Sequence, residues 1–560
     1  LRGYIIDAVL LFREDYYRNW EYLDQYFAEK GIRVSTIDFP PPRLSDPTAD
    51  RQSTQDYYNN LITADTGITG VLDHLDVCHK KRIDDLASMP KRTLDTIWWP
   101  FVQHGLAKTE KDVTVIDSAH SDFFSVYQPK GNANKPSSLL IPEFDGSASW
   151  WTQTVGHAHP SLTLAAARAS GRYGHVMFPQ AIHSPALNLA ERLVRNGPGK
   201  GWASRAFFSD NGSTGIEVAL KMALRAYAIR NNVNDTDAKR LGVIGLTGSY
   251  HGDTIGAMNA CGEGVYSCEW HDAKGFWFDP PCIGISDGKP RITLTPAMRD
   301  LIGESAISAP SLSWIYDIES RLHTPLAVKY TLHIKKVLGQ LEREGHRFGA
   351  LILEPLVMGA GGMVFVDPLF QRIMVDVIRG STKGRSVSWS GLPVIFDEVF
   401  IGLYRIGLES AAPLLGVYPD ISVNAKILTG GLVPLAVTLA SESVFQAFWG
   451  DNKGTALLHG HSYTAHAVGC EVANETLKLL DTLKTSEEWA NAQVSWSDGA
   501  SPSNVWSLWD PGFIHAVSKL AHVDEVMTLG SVLVVKLKSG SDLGTLVNPR
   551  KTCDQRHICQ

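Results

Sequence analysis

The stretch PVIFDEVFIGLYRIG at residues 393–407, followed by NAKILTGG at 424–431, decides how the rest of the chain is read. Val394, Ile395 and Phe396 form a short β-branched and aromatic run bounded by Gly391 and Pro393, which reads as a buried strand of a parallel sheet. Asp397 and Glu398 then stand at its carboxyl end, where open α/β sheets bind ligands. A second apolar-flanked segment, ISVNAKIL, delivers Lys426 just before a Thr-Gly-Gly turn, 29 positions after Asp397. A lone lysine before a turn is ordinarily a surface residue. Here the apolar neighbours argue for burial, which lowers an amine's pKa and leaves it neutral for attack. An aspartate at one strand end and a lysine at another meet the needs of pyridoxal 5'-phosphate. The lysine forms the Schiff base, and the carboxylate keeps the pyridine nitrogen protonated so that the ring draws electrons.

Further strand candidates surround this pair: RAFFS at 205–209, GVIGLTG at 242–248, ALILEP at 350–355 and LAVTLA at 435–440. Helical segments separate them, as in a sheet of βαβ units. After RAFFS, the small residues at 211–215 open an amphipathic run carrying Ile216, Val218, Ala219 and Leu220. A helix start of this kind suits a phosphate, although Ser and Thr also cap helices without any ligand. In GSYHGDT at 248–254, Tyr250 or His251 could stack on a flat cofactor; the alternative is a glycine-bracketed turn with local packing. Trp150 and Trp151 offer two flat faces. LLHGHSYTAH at 457–466 carries three histidines but no carboxylate to complete a metal-ligand motif. No metal is therefore expected, and Gly460 and Ser462 fit better as donors to a phosphate.

With 560 residues, two or more domains are expected. The chain is 44% hydrophobic and 20% charged with a net charge of -7, a balance that gives no reason to expect nucleic acid or an anionic membrane. Apolar runs such as 432–440 are far shorter than the roughly 20 residues of a membrane-spanning helix. Seven cysteines, at 78, 261, 268, 282, 470, 553 and 559, have neither zinc-ribbon nor redox spacing, which suggests reduced thiols in an intracellular compartment. Residues 1–85 read as a strand (YIIDAVLLF), an aromatic-rich helix, a second strand (RVSTIDF) and, after Pro40–Pro42, further helical sequence. Leu1 with a strand almost at once suggests an N-terminal truncation. Residues 300–347 look mostly helical, and VMTLGSVLVVKLKSG reads as one or two strands of a small domain cut short.

Together NAKILTGG, IFDEVFIGLYRIG, DNGSTGIEVALKMA, SYHGDT, DGSASWW and EPLVMGAGGM closely resemble the class III aminotransferases of fold-type I, over about residues 95–480. The resemblance implies a mostly parallel sheet sandwiched by helices. It implies Lys426 as the catalytic, cofactor-bound lysine, Asp397 as the pyridinium partner, and Gly212 and Ser213 as the phosphate-binding pair. Tyr250 would stack on pyridoxal 5'-phosphate and line the substrate site together with Trp150 and Trp151. Gly460, His461 and Ser462 match a loop contributed by the neighbouring subunit, implying a homodimer with shared active sites. The Trp pair, HVMF at 175–178 and the HG-x-S loop favour the members acting in biotin synthesis, with S-adenosylmethionine as amino donor and 8-amino-7-oxononanoate as acceptor. Another ω-aminotransferase, or an inactive truncated product, is the alternative.

Residues 1–85 resemble the C-terminal part of dethiobiotin synthetase, a P-loop-type α/β domain, as in fused eukaryotic bifunctional proteins, whose mitochondrial address is thereby implied. No G-x-x-x-x-G-K-[ST] motif occurs in the chain, so synthetase activity is not expected. The divisions expected are 1–85, an aminotransferase N-terminal segment at 86–155, a large cofactor-binding domain at 156–480, and a truncated or divergent small domain at 481–560. Three departures stand out. Phe101 sits where bacterial relatives carry tyrosine, and Met358 replaces a common glutamine. NPRKTCDQRHICQ does not match the segment whose arginine grips the substrate carboxylate, so neither Arg550 nor Arg556 is given that role.

Overall fold

Four strand sequences, GVIGL, FGALIL, VIFD and ISVN, are buried almost throughout. Such continuous apolar runs belong to a parallel sheet covered on both faces. In the computed structural model, which describes residues 64–128, 139–380, 391–497, 504–538 and 557–559, they form the middle of a seven-stranded sheet. In chain order its strands are β1 (Ala203–Ser209), β2 (Gly242–Leu246), β3 (Gly275–Phe278), β4 (Phe348–Leu353), β5 (Val394–Asp397), β6 (Ile421–Asn424) and β7 (Ala436–Ser441). Across the sheet the order is β1-β7-β6-β5-β4-β2-β3. β6, β5, β4, β2 and β3 are parallel, whereas β7 is antiparallel to both β6 and β1. β1 therefore points the same way as the parallel five.

Alternation along each strand sorts the side chains onto two faces. Ile352 and Ile395 join the core beneath helix Gly212–Arg230, with Ile216, Ala219 and Ala223. Leu351, Leu353, Val394 and Phe396 join the opposite core, which includes Leu369 and Ile373 of helix Pro368–Arg379. Phe396 is fully buried, and truncating such a residue to alanine costs about 3–5 kcal/mol. A three-stranded antiparallel sheet (Ile116–His120, Phe123–Tyr127, Leu140–Phe144) precedes this layer.

A second, antiparallel sheet has six strands. The expected strand pair in VMTLGSVLVVKL forms as the hairpin Val523–Leu529/Val532–Leu537. It does not stand apart as a domain of 481–560: Val526 pairs with Ile285, continuing the sheet into Cys282–Ser286, Lys289–Thr293 and Ala306–Ser308. The small unit is thus assembled from the middle of the chain and its C-terminal region, and the division read at residue 480 is crossed by this sheet. Segment 300–347, read as mostly helical, contains helices 312–316, 318–321 and 325–343 but also the strand Ala306–Ser308.

The chain separates into two compact units, Leu1–Asp85 and Leu86–Gln560. In the first, the described residues belong to helix Ala64–Thr96. The strands and helix expected within 1–63, and with them the P-loop-type domain, lie outside the described residues, as do Arg550 and Arg556. No described helix is long and apolar enough to cross a membrane.

Candidate active site

Because β1, β2, β4, β5 and β6 point one way, the residues leaving their carboxyl ends gather on one edge of the sheet. They are the Gly212 helix start, the Tyr250–Thr254 loop, Glu354, Asp397 and Lys426. Asp397, the last residue of β5, is 4% exposed. Its Oδ2 pairs with His251 Nδ1 at 2.7 Å and its Oδ1 accepts from Val399 N at 3.1 Å. Lys426 follows β6 in a left-handed conformation (φ 49°) and opens the turn Lys426–Thr429. Its Nζ lies 5.5 Å from the Trp151 ring centre and 5.7 Å from that of Phe400, with no hydrogen bond or ion pair among the described residues. Burial lowers its pKa below the ordinary lysine value, opposed by the charges of Asp397 and Glu354. A neutral amine is thereby favoured.

The helix Gly212–Arg230 starts at Asn211, whose side chain accepts from Thr214 N at 3.0 Å. That leaves the Gly212 and Ser213 amides without a partner among the described residues, at the positive end of a helix 19 residues long. Ser213 Oγ accepts from Thr254 N at 3.0 Å and lies 2.8 Å from Thr254 Oγ1, joining the helix start to the Tyr250–Thr254 loop. Gly252 permits this approach: its φ is 120°, and a Cβ there would stand 2.7 Å from Ser213 Cα.

Tyr250 N donates to Glu354 Oε1 and Gly359 N to Glu354 Oε2, both at 2.8 Å. Burial, opposed by the charge of His251 and reinforced by that of Asp397, pushes Glu354 up to about 7. Tyr250 Oη donates to Asp253 Oδ2 at 2.8 Å, and burial first, then Asp253, raises its pKa above the usual phenol range. Phe101, Trp150, Tyr250 and Tyr266 form a chain of ring contacts at this edge.

The Trp pair is held in strain. Ala148, Ser149, Trp150 and Trp151 all have positive φ, 46° to 60°, one left-handed turn that costs non-glycine residues about 1–2 kcal/mol each. Asp145, buried, offsets part of this by accepting from Ser147 Oγ at 3.0 Å and Ser149 Oγ at 2.7 Å and pairing with His157 Nε2 at 2.8 Å. Arg405, half-buried, donates to Trp151 O, and burial lowers it to about 10. Strain of this kind gathers at functional sites.

The structure thus brings together Gly212, Ser213, Tyr250, Asp397, Lys426 and Trp151, with Trp150 one residue away. Gly460, His461 and Ser462 are not joined to Asp397 or Lys426 within the chain: His461 bonds locally to Tyr463 and Thr464, and His459 faces Lys221 at 3.1 Å. Sequence reasoning left Glu354, Asp253, Arg405 and Phe400 without roles. These four lie inside the motifs, but only the fold shows what they face. The residues present fit pyridoxal phosphate: a buried carboxylate, an unpaired, half-buried amine and two free helix-start amides share one sheet edge.

The sequence matches the aminotransferase class-III family over residues 143–281 and 295–500. It is 45% identical over 567 aligned residues to a bifunctional dethiobiotin synthetase/adenosylmethionine-8-amino-7-oxononanoate aminotransferase of Emericella nidulans. It is 39% identical to a mitochondrial bifunctional dethiobiotin synthetase/7,8-diamino-pelargonic acid aminotransferase of Oryza sativa subsp. japonica. Each alignment takes in 97% of this chain, which spans 71% and 64% of the two relatives' own lengths. The structure superposes on a PLP-bound amine transaminase from an uncultivated Pseudomonas species with a TM-score of 0.56 and 23% identity, over 79% of this chain and 84% of that one. That likeness shows the fold.

Proposed function

The chain belongs to the class III aminotransferases, and we propose that it moves the amino group of S-adenosylmethionine to 8-amino-7-oxononanoate on pyridoxal phosphate, giving 7,8-diaminononanoate. The carrying observation is the shared edge on which Lys426, Asp397 and the Gly212–Ser213 helix start converge. The names of the fungal and rice relatives support the substrates.

When bound, the cofactor supplies a protonated pyridine ring that accepts the electron pair left on a substrate α-carbon. Asp397 would hold the ring nitrogen's proton, its carboxylate steadied by His251 and Val399 N. The Gly212 and Ser213 amides would hold the phosphate. Lys426 would anchor the cofactor and, once displaced by the donor, take the α-proton on Nζ and return it on the cofactor side as general base and then acid. Burial suits Nζ to this by favouring its neutral form. Trp150, Trp151 and Tyr250 would line the substrate space and exclude water.

We further infer a homodimer in which Gly460, His461 and Ser462 complete the neighbouring site, since within one chain they reach neither Lys426 nor Asp397. A mitochondrial address is supported by the rice relative's name. The synthetase half of the relatives' names is not carried over, because no P-loop motif occurs in residues 1–560. Mixing the holoenzyme with S-adenosylmethionine alone is expected to bleach the cofactor's visible band. Bleaching by 4-aminobutyrate or ornithine and not by S-adenosylmethionine would overturn the substrate assignment.

A further inference from the structure

We propose that Tyr266 is a specificity-determining residue, completing an aromatic mouth that selects an amino donor by the positive charge on its sulfur. This rests on the donor being S-adenosylmethionine, as read above. Tyr266 sits on a surface loop between Cys261 and Asp272, a segment to which no role has so far been attached. Neighbouring Val265 and Trp270 are 87% and 74% exposed, so the loop contributes little to the core. Its base is nevertheless pinned. His271 Nε2 bonds to Met258 O at 3.0 Å and Cys261 O at 3.1 Å, and Asp272 N donates to Asn259 Oδ1 at 3.0 Å. Within the loop, Gly264 N donates to Ser267 Oγ at 2.9 Å.

This frame sets the Tyr266 ring edge-on to two others, 5.3 Å from Tyr250 and 5.4 Å from Phe101. Phe101 in turn lies 5.9 Å from Trp150. Four rings from four separate segments therefore line one opening, and Tyr266 is the ring that links Tyr250 to the Phe101–Trp150 pair. The carboxylate at this opening is Asp253, held by Tyr250 Oη at 2.8 Å and paired with no lysine or arginine among the described residues. Ring faces carry negative potential and attract cations, and an unpaired carboxylate adds to that field. A nucleoside-bearing amino acid with a trivalent, permanently positive sulfur fits this opening better than its neutral thioether counterpart.

The test compares those two compounds, S-adenosylmethionine and S-adenosylhomocysteine, which differ at the sulfur by one methyl group and one charge. Calorimetric titration of both into the cofactor-loaded Lys426→Ala protein, where turnover is blocked, is repeated with Tyr266→Ala and with Tyr266→Phe added. Tyr266→Ala is expected to weaken S-adenosylmethionine binding by about three- to tenfold and to leave S-adenosylhomocysteine within about twofold. Tyr266→Phe, which keeps the ring, is expected to restore the preference. Equal weakening of both compounds, or of neither, would overturn the role of Tyr266 while leaving the function standing, provided that wild-type holoenzyme bleaches with S-adenosylmethionine. A wild-type holoenzyme that does not respond to S-adenosylmethionine would overturn the functional reading and this inference with it.

Discussion

Replacing Glu354 by glutamine probes the buried electrostatics of the site. The carboxyl is 5% exposed and clamped by the Tyr250 and Gly359 amides. Burial raises its pKa from 4.5 to about 7. The folded chain therefore keeps a proton that the unfolded chain has already lost over that window, and stability falls as pH rises through it. At about 1.4 kcal/mol per pKa unit, the loss is about 3 kcal/mol, absent below the unfolded value and complete above the folded one. Glu354→Gln abolishes the titration. Its oxygen can still accept one of the two amides, while its NH2 faces the other, a cost of about 1–3 kcal/mol that does not vary with pH. Urea unfolding of the cofactor-free protein at about pH 5 and about pH 8 reads the difference. Wild type is expected to lose about 2–3 kcal/mol more than the variant between those conditions. Parallel pH dependences for the two proteins would refute the protonated, burial-dominated Glu354.

Gly252→Ala places a Cβ 2.7 Å from Ser213 Cα on a backbone at φ 120°. Strain and overpacking together are expected to cost about 2–5 kcal/mol, read as a lower urea midpoint, with weaker retention of the cofactor on dialysis. Unchanged stability would show that the Ser213–Gly252 approach is looser than described. Cys261 and Cys470 are buried, with burial pushing both thiols up to about 12. Iodoacetamide labelling followed by peptide mass spectrometry should therefore find them unmodified until the protein is unfolded, whereas exposed Cys78 and Cys268 react in the native state.

Much of the candidate site's edge was legible because strand endings carry local signals. VIFD and GVIGL announce buried parallel strands by composition, and whatever follows them stands at the carboxyl edge. The partners within that edge carry no local signal. His251 meets Asp397 across 146 positions, Tyr250 meets Glu354 across 104, and Arg405 meets Trp151 across 254. The first two pairings follow from β4 lying between β5 and β2, an order that periodicity does not encode. Strand β3, GFWF, is only four residues long and the hairpin 282–293 is interrupted by glycine and proline, so neither carries a clear strand signal. The left-handed turn at 148–151 was hidden because none of its residues is glycine.

The central claim is that Lys426, carried past β6 to face Asp397, is the residue that binds the cofactor. Purifying the chain with pyridoxal phosphate and comparing its visible spectrum, after borohydride reduction and peptide mapping, with that of Lys426→Ala tests this directly. The expected result is a visible band that depends on Lys426, with the reduced cofactor covalently attached to the peptide containing that residue. A band that persists in Lys426→Ala with the label on another lysine, or a wild-type protein with no such band, would contradict it.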